Sequence, residues 1–114
     1  MSAGFDATFA TLRAIMLKHA QGLAITRDEP GDLVVRTLEL DAKGQPGWFG
    51  TVTIKKSYVA YHLTALYERQ ALADDLPPAL ARRRQGKTCF NFKVVEPAQF
   101  EALDALTARV RAAL

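Results

Sequence analysis

From Leu23 to Tyr67 the chain runs as short apolar stretches separated by loops too short to hold a crossover helix. Strands joined that closely pair with their sequence neighbours in antiparallel fashion. Leu23–Thr26 and Leu33–Leu40 flank Asp28-Glu29-Pro30-Gly31-Asp32. Proline presets φ there and glycine tolerates positive φ, so a hairpin is predicted. Asp41–Gly47, with its glycines and proline, forms a second, longer loop. Trp48–Lys56 then sets Val52 and Ile54 against Thr51, Thr53 and Lys55. Tyr58–Tyr67 alternates again, with Val59, Tyr61 and Leu63 facing one way and Tyr58, Ala60 and His62 the other. Gly50 inside a strand marks a bulge or the close approach of another element.

Helical spacing brackets this strand series. Phe5, Phe9, Leu12, Met16 and Leu23 recur near every third or fourth residue, with Ile15 beside them and Gly22 placed to end the helix. After the prolines at Pro77 and Pro78, a short helix from Pro78 to Gln85 is predicted, with Gly86 as its cap. Thr88–Val95 is a strand with Phe90, Phe92 and Val94 on one face and Cys89, Asn91 and Lys93 on the other. Pro97 opens a last helix with the stripe Phe100, Leu103, Leu106, Val110 and Leu114. The order α-β-β-β-β-α-β-α implies an α+β, two-layer sandwich, its mainly antiparallel sheet carrying the N- and C-terminal helices on one face.

Composition narrows the functional classes. At 114 residues, with 49% apolar and 24% charged residues, the chain fits one domain over residues 1–114. A domain this long buries roughly two-thirds of its unfolded surface and needs no disulfide or metal staple. Cys89 is the single cysteine, which excludes an intrachain disulfide and suits a reducing, cytoplasmic setting. The start of the chain lacks the basic and apolar regions of a signal peptide, and no apolar run approaches a membrane span. A net charge of +3 is small for nucleic-acid binding and better suited to a small anionic ligand or an acidic protein partner. A bare apolar sheet face would favour a homodimer.

His62 and Cys89 carry the most reactive side chains. In the right register, Tyr58, His62, Cys89, Asn91 and Lys93 line one side of the sheet, opposite the helices. A thiol beside lysines gains thiolate character and a nearby histidine can serve as its base, although no Cys-x-x-Cys or nucleophile elbow accompanies them. The basic run Arg82-Arg83-Arg84 and Lys87 has two explanations. Cations at a helix C-terminus are favoured by the helix dipole, by about 0.3–1 kcal/mol each. Together with Lys55, Lys56, Lys93, Tyr58 and Tyr61 they also make an anion-binding surface. Asp28, Glu29 and Asp32 either shape a solvated turn or hold a divalent cation loosely. A metal site from His19, His62 and Cys89 lacks the usual number of convergent ligands. Among the aromatics, Phe90 and Phe92 belong to the core.

The run Ile54-Lys55-Lys56-Ser57-Tyr58-Val59-Ala60-Tyr61-His62-Leu63 resembles a signature of the YdhG-like family of small bacterial domains, most of them of unknown function. So does Gln85-Gly86-Lys87-Thr88-Cys89-Phe90-Asn91-Phe92-Lys93. The resemblance implies a frataxin-like sandwich and raises intracellular iron chaperoning as an activity. The sequence departs from the frataxin pattern of a carboxylate ridge on the first helix, because here that helix offers Asp6 alone.

A non-enzymatic binding or carrier role is therefore expected, at a surface of Lys56, Tyr58, His62, Lys87, Cys89 and Asn91. The alternative is iron held near Asp28, Glu29 and Asp32. A second alternative is a small enzyme using Cys89 and His62.

Overall fold

The computed structural model describes residues 3–40, 43–44, 46–67, 70–74, 76–86 and 88–113. Helix α1 spans Ala3–Lys18 and is followed by strands β1 (Ala24–Glu29), β2 (Asp32–Leu40), β3 (Pro46–Ile54) and β4 (Val59–His62). Two 3-10 turns, Thr64–Tyr67 and Gln70–Ala73, lead to a one-turn helix α2 (Pro78–Ala81). Strands β5 (Arg84–Gln85) and β6 (Cys89–Phe92) and helix α3 (Pro97–Ala112) complete the chain. The strands form one six-stranded sheet in the order β1-β2-β3-β4-β6-β5, antiparallel throughout. The α+β class, the antiparallel sheet and the terminal helices are as the sequence implies, and the arrangement is that of two layers.

One core joins the layers. Leu12, Met16, Val35, Phe49, Val52, Tyr61, Phe90, Leu103 and Leu106 belong to a single buried cluster. Phe92 and Phe100 meet edge to face with ring centroids 4.8 Å apart, which ties β6 to α3. Tyr61 is fully buried, and its hydroxyl donates to Thr107 Oγ1 at 2.8 Å, while Thr107 donates onward to the Leu103 carbonyl at 2.8 Å. Burial raises the Tyr61 pKa, with the Thr107 hydrogen bond offsetting part of the rise. Gly50 shows both features its position suggests. The β2–β3 register shifts beside it, and a Cβ there would lie 2.7 Å from the Met16 methyl and 2.6 Å from the His62 carbonyl. The Met16 methyl ends a flexible chain and could move aside, but the His62 carbonyl is backbone of the paired strand β4, so it is the close approach of that strand that requires a residue without a side chain at position 50.

Several boundaries differ from expectation. Helix α1 ends at Lys18, so Leu23 reaches the core from the following turn rather than from the helix. Strand β4 ends at His62; Leu63, just before the 3-10 turn, accepts from Leu66 N at 3.0 Å, and the three-residue spacing buries both on one side. The helix expected to reach Gln85 stops at Ala81. The Arg83 carbonyl accepts from Asn91 N at 2.9 Å, and Arg84 and Gln85 pair with Phe90 and Cys89. Sheet-edge pairing thus overrides the helix propensity of the arginines. Gly86, at φ 68°, turns the β5–β6 hairpin instead of capping a helix. Val94, expected to share the core face of Phe90 and Phe92, lies past the end of β6 and is exposed. Leu114, expected at the end of the α3 stripe, and Lys87 lie outside the described residues.

Among the described residues no helix is long and apolar enough to cross a membrane. The exposed large apolar side chains Leu38, Leu40 and Trp48 sit toward the β2–β3 turn, with the Arg36 guanidinium 3.6 Å from the centre of the Trp48 ring. The sheet face turned away from the helices is otherwise polar or small at its centre, with Thr51, Thr53, Ala60, His62, Cys89 and Asn91.

Candidate functional site

Strands β4 and β6 set the site. Their register places His62 opposite Cys89 and Ala60 opposite Asn91. Tyr61 and Phe90 enter the core from the same strands, so alternation sends His62, Cys89 and Asn91 to the open face. The three residues are therefore gathered as the sequence reading requires.

Their hydrogen bonds decide what they can do. His62 Nε2 lies 2.9 Å from the hydroxyl of buried Thr88. The Cys89 thiol donates to Asn91 Oδ1 at 3.3 Å, so its proton points along the strand rather than to His62. Burial pushes the Cys89 thiol up, and the nearby Lys55 charge only partly opposes this. Burial, reinforced by Lys55, pushes His62 down. The lysines expected to favour a thiolate are thus outweighed by desolvation, and at neutral pH both groups are held uncharged. This is not the arrangement of an activated cysteine, which needs a lowered thiol pKa and a base within reach.

A cleft opens at the rim of this face, where α2 passes into β5 and the chain leaves β6. It encloses about 320 Å³ and is lined by Tyr58, Arg82, Arg83, Gln85, Asn91, Lys93, Val94 and Glu96. Three cations face one carboxylate. Glu96, just before α3, takes up Arg83, with Nε 3.0 Å from Oε2 and Nη2 3.1 Å from Oε1. Arg82 and Lys93 are exposed and have no ion-pair partner among the described residues. Helix-dipole stabilisation does not account for these charges. The helix is a single turn, Arg84 lies in β5, and Lys93 is far from it in sequence.

The expected surface is therefore divided. Tyr58 and Asn91 line the cleft. His62 lies at a separate recess of about 300 Å³ with Trp48, Thr51 and Thr64. Cys89 touches the cleft only through its bond to Asn91. Lys56 is exposed on the β3–β4 turn and lines neither, and Tyr61, named with the basic surface, is a core residue. Gln85 lines the cleft without having been a candidate, because it is the β5–β6 hairpin that brings it there.

The carboxylates of the first hairpin are already engaged. Arg13 forks onto Asp28, with Nε 2.8 Å from Oδ1, and holds that carboxyl below its usual range. Arg27 lies 3.0 Å from Asp32 and 3.5 Å from Glu29. Among the described residues no group of three His, Cys, Asp or Glu side chains converges as a metal site would require. His19 does not join His62 and Cys89 either. It pairs with Asp104 between α1 and α3, on the covered side of the sheet. Asp28, Glu29 and Asp32 thus do not fit an iron site as they stand. Comparison with protein-family models, with curated proteins and with solved structures finds no match to this chain.

Proposed function

We propose that the protein is a non-enzymatic binding or carrier module for a small anionic ligand, taken in the cleft between Tyr58, Arg82, Asn91 and Lys93. The observation that carries this is the pair of cations at the cleft that have no ion partner among the described residues, beside a third cation that Glu96 already neutralises. An anion entering there exchanges water for charge-assisted hydrogen bonds from guanidinium and ammonium groups. Tyr58 and Asn91 add directional hydrogen bonds from the sheet, a rigid platform that lowers the ordering cost of binding. The uncharged states of His62 and Cys89 support binding in preference to thiol chemistry. The single thiol is compatible with a reducing, cytoplasmic setting. Two terminal helices on an antiparallel sheet are compatible with the YdhG-like and frataxin-like domains that the sequence resembles.

Titrating the full chain with sulfate, followed through backbone amide NMR signals, tests the proposal. Saturable shifts confined to Tyr58, Gln85, Asn91 and Val94 are expected, and Arg82→Glu with Lys93→Glu abolishes them. Shifts scattered over the surface, or shifts that survive the double variant, would refute it.

A further inference from the structure

We infer that the cleft takes a phosphate monoester carrying a compact, hydroxylated body, of the size of a pentose phosphate. The inference rests on the anion-binding proposal and specifies its ligand.

Charge sets the head group. With Arg83 held by Glu96, Arg82 and Lys93 remain as two cations with no ion partner among the described residues. A phosphate monoester carries a charge of about −1.5 to −2 at neutral pH and three acceptor oxygens, matching two cations. A monocarboxylate would neutralise one and leave the other facing it.

The remaining lining sets the body. Tyr58, Gln85 and Asn91 are neutral hydrogen-bonding groups. Asn91 Oδ1 accepts from the Cys89 thiol, so what the Asn91 amide can offer a ligand is its NH2 donors. Hydroxyl oxygens are suitable acceptors for those donors and can in turn donate to the Gln85 carbonyl oxygen. Among the described residues of the lining, Val94 is the only aliphatic side chain, which disfavours a ligand with a large apolar part. The volume of about 320 Å³ lies at the lower end for small-molecule sites, which typically run from about 300 to 1,000 Å³.

Calorimetric titration of the full chain with ribose 5-phosphate, inorganic phosphate, ribose and citrate provides the test. Ribose 5-phosphate is expected to bind about tenfold more tightly than inorganic phosphate, and ribose alone not to bind measurably. Arg82→Gln and Lys93→Gln, both at exposed positions, should each weaken ribose 5-phosphate by about tenfold. Asn91→Ala should erase the preference over inorganic phosphate while leaving phosphate itself bound. Citrate or inorganic phosphate binding as tightly as ribose 5-phosphate would overturn the inference and leave an anion site standing. Undiminished binding by Arg82→Gln and Lys93→Gln would place the ligand elsewhere and overturn it too. Failure of every anion, sulfate included, would remove the anion-binding proposal with it.

Discussion

Tyr61 and His62 are adjacent in β4, and Phe90 and Cys89 are adjacent in β6, yet the two pairs live in different physical worlds. On the covered face, Tyr61 and Phe90 are sealed under α1 and α3, and the Tyr61 hydroxyl is committed to Thr107. On the open face, His62 and Cys89 are half-buried and bond to Thr88 and Asn91 beside them. Partial burial is enough to keep both neutral but not enough to make them structural. The cations that border the cleft, Arg82 and Lys93, stand at the rim. The residues with the most reactive chemistry thus stand on neutral ground, and the residues suited to binding stand beside them.

The two faces should respond differently to mutation. Phe92→Ala removes a ring that is 1% exposed and packed edge-on against Phe100. It should cost about 3–5 kcal/mol by chemical denaturation. Thr107→Val strands the buried Tyr61 hydroxyl without its acceptor, and a loss of about 1–3 kcal/mol is expected in the same assay.

Asp104, which staples α3 to His19 and Lys18 of the α1 end, gives a pH-dependent term. Partial burial raises its pKa, but the His19 and Lys18 hydrogen bonds outweigh this and leave it below the usual carboxylate value. The folded state therefore holds this proton less tightly than the unfolded chain. Its contribution is complete above the unfolded value of about 3.9 and disappears as pH falls through the lowered folded value. Asp104→Asn should be less stable than the parent by about 1 kcal/mol at pH 7, with the gap closing below about pH 4.

Cys89→Ser, on the open face, should change stability least, by roughly 0.5 kcal/mol or less. Alkylation of Cys89 by iodoacetamide at pH 7 should be slower than that of a free thiol and should accelerate with rising pH. Rapid alkylation at pH 7 would break the contrast between a neutral centre and a charged rim.

Much of the fold was legible because burial has a period. Val59, Tyr61 and Leu63, Phe90 and Phe92, and the Phe100-Leu103-Leu106-Val110 stripe all point where their spacing says. Gly50 was legible as an interruption that packing had to explain. Spacing fails where the next buried residue follows another rule, as at Leu66 on its 3-10 turn, or where a strand partner captures a helical sequence, as at Arg84 and Gln85. The site was legible in its residue types and less so in its grouping. Tyr58, Asn91 and the basic run were visible as candidates. Which cations gather at one cleft depends on the β5–β6 hairpin, and which one is neutralised depends on Glu96 at the entry to α3. Neither has a local signature.

The most direct measurement is a crystal structure grown with selenate, whose selenium can be located by anomalous scattering. An anomalous peak in the cleft, within hydrogen-bonding reach of Arg82 and Lys93 and beside Tyr58 and Asn91, is the expected result. A peak only at the Trp48–His62 recess, or none in crystals whose cleft is open to solvent, would contradict it.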